Sequence, residues 1–207
     1  MTTGRRSWLG IVLALLSLLL AGCVVIGAPP SGPRTAEGPA PQSPPGEDAA
    51  APEEQMARAI FDRVNAERAE RGIEALAWNE ELAAVARDWS AEMAETGQLR
   101  HQDLGQLIRR EDLSGFEAIG ENVFQATGPV PAGTMHAGWM RSDGHRANVL
   151  NPGWDRLGIG VHCAEDGSVW ATQQFGRTIG SDRPAVATET PPLEPFVRPE
   201  NDGPGCG

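Results

Sequence analysis

Leu157-Gly158-Ile159-Gly160-Val161-His162-Cys163-Ala164-Glu165-Asp166-Gly167-Ser168-Val169-Trp170-Ala171-Thr172-Gln173-Gln174-Phe175 is the stretch that decides the fold. Two strand candidates, Leu157 to Cys163 and Ser168 to Phe175, flank Asp166-Gly167. An Asp-Gly pair between apolar runs signals a hairpin, because Gly takes the positive φ of a tight turn without a Cβ clash. Upstream, Glu121 to Gln125 is a third, shorter strand candidate.

The rest of the folded unit has helical period. Met56, Ile60 and Val64 recur every fourth residue, with Ala57 and Phe61 beside them, and Gly72 ends the run. Asn79 is placed to cap a second helix through Leu82, Val85, Ala86, Trp89 and Met93, which Gly97 ends. Asp103 to Arg110 reads as a short third helix, and Ala132 to Arg141 as a fourth, entered at Pro131. Helices around a small antiparallel sheet predict an α+β fold, an α-β-α sandwich, over residues 53–179. No internal repeat is visible.

The flanks read differently. Arg5 and Arg6 precede an apolar run from Trp8 to Leu20, which is shorter than the ~20 residues that span a bilayer. Residues 1–22 therefore read as a signal peptide. Leu19-Leu20-Ala21-Gly22-Cys23 resembles the bacterial lipoprotein processing box, with the Cys23 thiol as the acyl acceptor. Residues 23–52 then hold the lipidated cysteine and a linker rich in Pro, Ala, Gly and Ser, which buries too little apolar surface to fold. Extended, it reaches ~60–90 Å. Residues 180–207 are Pro-rich again and predict an irregular tail, unless a disulfide straps it down. Apart from Cys23, the cysteines are Cys163 and Cys206; outside the cytoplasm they form a pair, and the alternative is two free thiols.

The formal net charge of -11 repels phosphate backbones and argues against a nucleic-acid partner. All 17 basic residues are Arg and Tyr is absent, from which no function follows.

Read in order, the motifs match a family. Val64-Asn65-Ala66-Glu67-Arg68, Gly72-Ile73, Leu76-Ala77-Trp78-Asn79 and Leu82-Ala83 open the match; Met93-Ala94, Gly97 and His101 continue it. Then come Gly120-Glu121-Asn122-Val123, the run Trp139-Met140-Arg141-Ser142-Asp143-Gly144-His145-Arg146-Ala147-Asn148-Val149-Leu150, and the hairpin quoted above. Together these resemble the CAP superfamily, the cysteine-rich secretory, antigen 5 and pathogenesis-related 1 proteins. The resemblance implies an α-β-α sandwich with a central cavity. In eukaryotic members two His and two Glu line that cavity and hold a divalent metal. By the same resemblance His101 matches the first His and Glu121 the first Glu. Ser142 stands where the second Glu would be, and Trp170 or Ala171 where the last His would be. His145, three residues beyond Ser142, is the substitute, on the same helix face if the helix continues.

The cavity residues are thus His101, Glu121, Ser142 and His145, and three readings stay open. His101, Glu121 and His145 make a three-ligand zinc-type site with an open position. They make instead a hydrogen-bonded scaffold or binding cluster that needs no cofactor. Or they serve a protease-like hydrolase. No nucleophile stands out, and Ser142 reads as a turn residue in Ser142-Asp143-Gly144. Arg146 and Asn148 are expected to tie down the loop after the helix. Asn65 and Arg68 are expected to bond to the hairpin. His136 is expected at the surface, His162 facing solvent from a strand, and Trp154 either in the core or offered to a glycan or lipid. The function expected is an extracytoplasmic, membrane-anchored binding module for a lipid, cell-wall or protein ligand.

Overall fold

The computed structural model describes residues 50–187 and 201–206. The leader, Cys23 and most of the linker lie outside the described residues. Among the described residues no helix is long and apolar enough to cross a membrane.

In chain order the elements are α1 Pro52–Glu70, β1 Ala77–Trp78, α2 Glu80–Thr96, α3 Leu104–Leu107, a 3-10 turn Glu111–Leu113, β2 Phe116–Ala126, α4 Ala132–Arg141, α5 Asp143–Val149, β3 Arg156–Cys163 and β4 Val169–Thr178. The strands order as β1-β3-β4-β2. The β3–β4 hairpin runs antiparallel from Arg156↔Gly176 to Cys163↔Val169, and Gly167 in its turn has φ +84°. β2 pairs antiparallel with the other side of β4. The expectation of a wholly antiparallel sheet is corrected at one edge. β1, too short to show a period, pairs in parallel with β3 through Ala77↔Arg156 and Trp78↔Leu157.

Alternation along β3 separates the two faces. Leu157, Ile159 and Val161 point to one side and pack with Phe175 against Met56, Ile60 and Val64 of α1 and Met135 and Trp139 of α4. Gly158 and Gly160 point to the other side, where α2 lies directly on the strand. Its Ser90 hydroxyl donates to Gly160 O at 3.1 Å. Trp89 and Met93 of α2 continue this second layer onto Val123 and Trp170. Helices therefore cover both faces, as the sandwich requires.

The α2 caps are those expected: Asn79 Oδ1 accepts from Leu82 N at 2.8 Å, and Gly97 closes the helix at φ +64°. Of the other expectations, those for His136, Arg68 and Asn65 are corrected. His136 is fully buried in α4. Trp154 is buried and stacked on Phe175, with centroids 6.1 Å apart, so it offers no face to a ligand. His162 is half-buried. Arg68 and Asn65 do not bond to the hairpin. Asn65 clamps the backbone of Leu76 through both amide atoms, and buried Arg68 donates to the carbonyls of Glu74, Val149 and Asn151. Burial pulls the Arg68 guanidinium down to about 10, so it stays charged at neutral pH.

The tail's fate follows from the bridge. Cys163 and Cys206 form a disulfide, with Cα atoms 5.7 Å apart. Residues 181–187 are irregular yet pinned. Asn151 exchanges two hydrogen bonds with the Ala187 backbone, and Arg177 Nη1 donates to Pro184 O at 2.7 Å. Residues 201–206 close over the start of α4: Ala132 N donates to Pro204 O at 2.9 Å, and Gly133 N to Asp202 O at 3.0 Å. Asp202 also pairs with Arg63 of α1.

A buried charge cluster joins α1 to α4. Glu67 Oε2 accepts from Arg71 at 2.5 Å, and Oε1 lies 3.8 Å from His136 Nε2. Burial alone would raise the Glu67 carboxyl, but the pairing with His136 and Arg71 prevails and holds it below its ordinary value. A carboxyl depressed in the folded state stabilises above its unfolded pKa of about 4.3, and that contribution is lost as pH falls through the folded value. Glu67→Gln is therefore expected to narrow the gap in urea midpoint between pH 7 and pH 3. An unchanged gap would show that other carboxylates govern acid unfolding.

Candidate functional site

The candidate site forms along β2, where adjacent residues face opposite layers. Glu121 pairs with Gln174 of β4, and Asn122 pairs with Gln173. The Glu121 side chain is fully buried, whereas that of His101 is 55% exposed. Glu121 Oε1 meets His101 Nδ1 at 2.7 Å and accepts from Gln102 N at 3.0 Å; Oε2 accepts from Gln102 Nε2 at 2.7 Å. Gln102 Nε2 also donates to Gln174 Oε1 at 3.2 Å, and Gln174 Nε2 donates to Gly120 O at 2.9 Å. One buried carboxylate thus gathers the loop after α2 onto the sheet.

The opposite face of β2 holds α5. Asn122 Nδ2 donates to His145 O at 3.0 Å and to Gln173 Oε1 at 2.8 Å. Asn148 Nδ2 donates to Glu121 O at 3.1 Å and to Asn122 Oδ1 at 2.9 Å. Arg146 reaches back to Met140 O and Asp143, so Arg146 and Asn148 tie down the segment as expected. His145 is half-buried; burial, and then the charge of His101, hold its imidazole below the ordinary value.

The structure brings His101 and Glu121 into contact. Among the described residues, no group of three or more His, Cys, Asp or Glu is close enough to hold a metal ion. The helix breaks at Ser142: α4 stops at Arg141, and Ser142 takes extended angles, φ -92° and ψ 123°, before α5 starts. The helix does not persist to His145, which corrects the shared face expected for Ser142 and His145. Gln102, Gln174, Asn122 and Gln173 were not among the expected site residues. Their signal is two adjacent Gln inside a strand with apolar ends, since a buried amide needs a polar partner nearby.

Removal of the carboxylate should cost more than removal of the imidazole. Glu121→Ala leaves Gln102 N and Nε2 facing a cavity, and breaking such a buried charge-assisted set costs about 3 kcal/mol. His101→Ala leaves Glu121 two donors and opens no closed space. The Tm loss is expected to be several-fold larger for Glu121→Ala, and equal losses would contradict this geometry.

Beside the cluster lies a cleft of about 400 Å³, lined by Trp89, Arg100, Gln102, Asp103, Leu107 and Arg110. A second cleft of about 420 Å³ opens between the start of α1 and α2, lined by Glu53, Glu54, Arg87, Asp88, Val161 and His162.

Comparison with known proteins agrees with the fold. The model of the Cysteine-rich secretory protein family, CAP, matches residues 61–175. The chain is 33% identical over 121 residues to the uncharacterized protein YkwD of Bacillus subtilis, covering 56% of this chain and 45% of that one. It is 34% identical over 106 residues to the uncharacterized membrane protein YlbC of the same organism, covering 49% and 30%. The chain thus spans less than half of either relative. Among solved structures, an extracellular protein containing a SCP domain from Bacillus anthracis superposes with a TM-score of 0.52 at 31% identity, over 61% of this chain and 41% of that one. An outer surface protein of Borrelia burgdorferi superposes with a TM-score of 0.55 over 60% and 94%, and at 17% identity that likeness concerns the fold alone.

Proposed function

Because this chain belongs to the Cysteine-rich secretory protein (CAP) family, we propose that it is an extracytoplasmic, membrane-anchored binding module, without catalysis, for a lipid, cell-wall or protein ligand. The observation that carries this reading is the engagement of Glu121, whose buried carboxylate takes three hydrogen bonds from His101 and Gln102. Both of its oxygens are occupied by donors of the adjacent loop. A carboxylate buried and held by three donors is a structural anchor rather than a base on substrate, and His101, though oriented by it, has no hydroxyl or thiol hydrogen-bonded to it among the described residues. Here the carboxylate builds a wall instead. No cofactor is needed for that task. The alternative, a hydrolase using His101, Glu121 and His145 with a bound divalent metal, requires the loop to give up Glu121.

The export signal and Cys23 support placement at a membrane surface. So does the family: the Bacillus anthracis neighbour is named extracellular, and YlbC is named a membrane protein. Lipidation would attach diacylglycerol to the Cys23 sulfur as a thioether, and cleavage after Gly22 would make Cys23 the first residue. Two or more acyl chains, at about 0.8 kcal/mol per buried methylene, hold a protein stably. Cys23→Ala is expected to move the protein from the membrane pellet to the soluble fraction, and retention in the pellet would refute the anchor.

The test of the binding reading has two arms. The purified chain is incubated with isolated cell-wall sacculi and with phospholipid vesicles, and separately with peptide and ester substrates, with and without zinc. Retention on an envelope fraction without turnover is the expected result. Turnover lost in Glu121→Gln and His101→Ala at unchanged Tm would establish the hydrolase. Stoichiometric zinc binding lost in His101→Ala would make the cluster a metal site.

A further inference from the structure

We infer that the open edge of β3, on the floor of the cleft between α1 and α2, pairs with an extended, cationic segment of a partner protein. This rests on the binding reading above and takes its protein-ligand arm. It adds the place and the chemistry of the contact.

The edge follows from the ladder. Leu157 O accepts from Asn79 N on the β1 side at 3.1 Å, and Ala164 N donates to Ser168 O on the β4 side at 2.9 Å. Backbone groups alternate along a strand, so the odd residues of β3 turn to the edge and the even ones to β4. β1 covers that edge only at Arg156 and Leu157. Beyond it Ile159, Val161 and Cys163 aim N–H and C=O outward, and among the described residues no hydrogen bond meets these groups. Ile159 is fully buried and Val161 is 5% exposed, so bulk water has little access to them. Buried backbone groups are almost always paired. The opposite edge of the sheet shows the contrast. There Asn148 Nδ2 donates to Glu121 O at 3.1 Å and Trp139 Nε1 to Val123 O at 3.0 Å, so side chains cover the outward carbonyls of β2.

The cleft suits a single chain. It holds about 420 Å³, and the small side chains of Ala57 on the α1 wall and Ala91 on the α2 wall leave room for a backbone beside Ile159 and Val161. Helical walls recess the edge, which admits one extended segment and shuts out the edge of a second sheet. β1 already adds two residues to this edge, in parallel and through backbone alone, and a docked segment continues its row. The rim sets the sign. Glu54, Arg58, Glu80 and Arg87 pair among themselves, two charges of each sign. That leaves Glu53 on one wall and Asp88 on the other, with no ion pair among the described residues. Asp88 also feels Arg110, but Arg110 is bonded twice to Asp112. Adjacent side chains of a strand point to opposite faces, so two neighbouring cationic residues of the segment meet one acid each.

The test titrates the full chain with the peptide acetyl-Val-Lys-Lys-Val-Thr-amide, by calorimetry at low salt. The peptide is expected to bind, and its Glu-Glu counterpart not to. Two further Lys-Lys peptides carry N-methyl groups on one or the other alternate set of amides. Only alternate N–H groups face β3, so one set should abolish binding and the other leave it. Val161→Pro removes an N–H that faces the cleft and spares the ladder to β4, since proline is tolerated at such edge positions. It should weaken binding by about tenfold or more. Ala91→Leu, which fills the cleft from a half-buried helix position, carries the same expectation and serves if the proline variant unfolds. Glu53→Gln and Asp88→Asn should each weaken binding by about two- to fivefold, the scale of exposed charge pairs. Equal effects of the two methylation sets, or indifference to both Val161→Pro and Ala91→Leu, would overturn the assignment. A dimer in sedimentation that Ala91→Leu dissociates would give the edge to a second copy and overturn it too. Cleavage of the peptide would refute the non-catalytic reading and leave the site. No peptide binding, with envelope retention intact, would refute the site and leave the reading.

Discussion

Alanine at Gly160 is expected to lower the melting temperature by about 10 °C or more, and alanine at both Gly158 and Gly160 to prevent folding. A Cβ built on Gly160 lies within 3.0 Å of Arg87 N, Ala86 C and Arg87 Cα, and one on Gly158 within 3.0 Å of Ala83 N, Leu82 C and Ala83 Cα. These are backbone atoms of α2, which cannot swing aside as a side chain can. The spacing explains why both glycines are needed. Four helical residues advance about 6 Å and two strand residues about 6.6 Å, so α2 lies along β3 and meets it twice in step. Adding a methyl group at either point lifts the helix. That exposes Leu82, Ala86 and Met93, and carries Trp89 away from Val123 and Trp170. Overpacking typically costs about 1–3 kcal/mol, and a helix backbone that cannot relax belongs at the upper end or beyond. Gly144→Ala is the control, because nothing lies within 4 Å of its added methyl group. A Gly160→Ala protein that melts within a degree of the parent would show that α2 has room to spare.

The same two glycines show what was legible in the sequence. Their alternation was visible in Leu157-Gly158-Ile159-Gly160-Val161, and a period of two puts both on one strand face. That face can accept a helix only because it has no side chains. α1, α2 and the hairpin were readable because each repeats a period over many residues and is closed by a residue with a reason to be there: Gly72, Asn79, Gly97, Gly167. β1 was not readable, since two residues carry no period and its pairing runs through backbone alone. α5 was hidden by Ser142-Asp143-Gly144, whose composition is that of a turn; the chain does turn there, and then winds again. β2 extends beyond Glu121 to Gln125 in both directions, and its Gly120, which weakens a strand pattern, is required by the indole of Trp154 against it. Of the site, His101 and Glu121 were legible through the family motifs. Gln102 was not, because an amide that satisfies a buried carboxylate has no fixed spacing from it. The burial of His136 is not legible in the sequence, because its partner Glu67 lies 69 positions away on another helix.

Loss of the Cys163–Cys206 bridge is expected to cost about 4 kcal/mol, or roughly 8–16 °C in Tm, since it closes a long loop in the unfolded chain. The sequence separation is 43. Its local consequence is sharper. α4 begins at Pro131 without a side-chain cap, so its first amides depend on the tail: Ala132 N on Pro204 O and Gly133 N on Asp202 O. Those carbonyls stay in place because Cys206 is bonded to the end of β3, lies against Met56, and is followed back along the chain by the Asp202–Arg63 pair. In Cys206→Ser the bond is gone, and the Asp202 and Pro204 carbonyl contacts with the Asp202–Arg63 pair are left to hold residues 201–206. Amide exchange at Ala132 and Gly133 is expected to rise strongly, while that of β3 and β4 rises only as far as the global stability falls. A reductant added to the parent should reproduce the Tm of Cys206→Ser. If the reduced protein loses less than about 1 kcal/mol and the two amides stay protected, the tail is held by its own hydrogen bonds and the bridge is incidental. If both effects appear, the fold is complete only where thiols are oxidised, which is the compartment that an exported, surface-anchored protein would occupy.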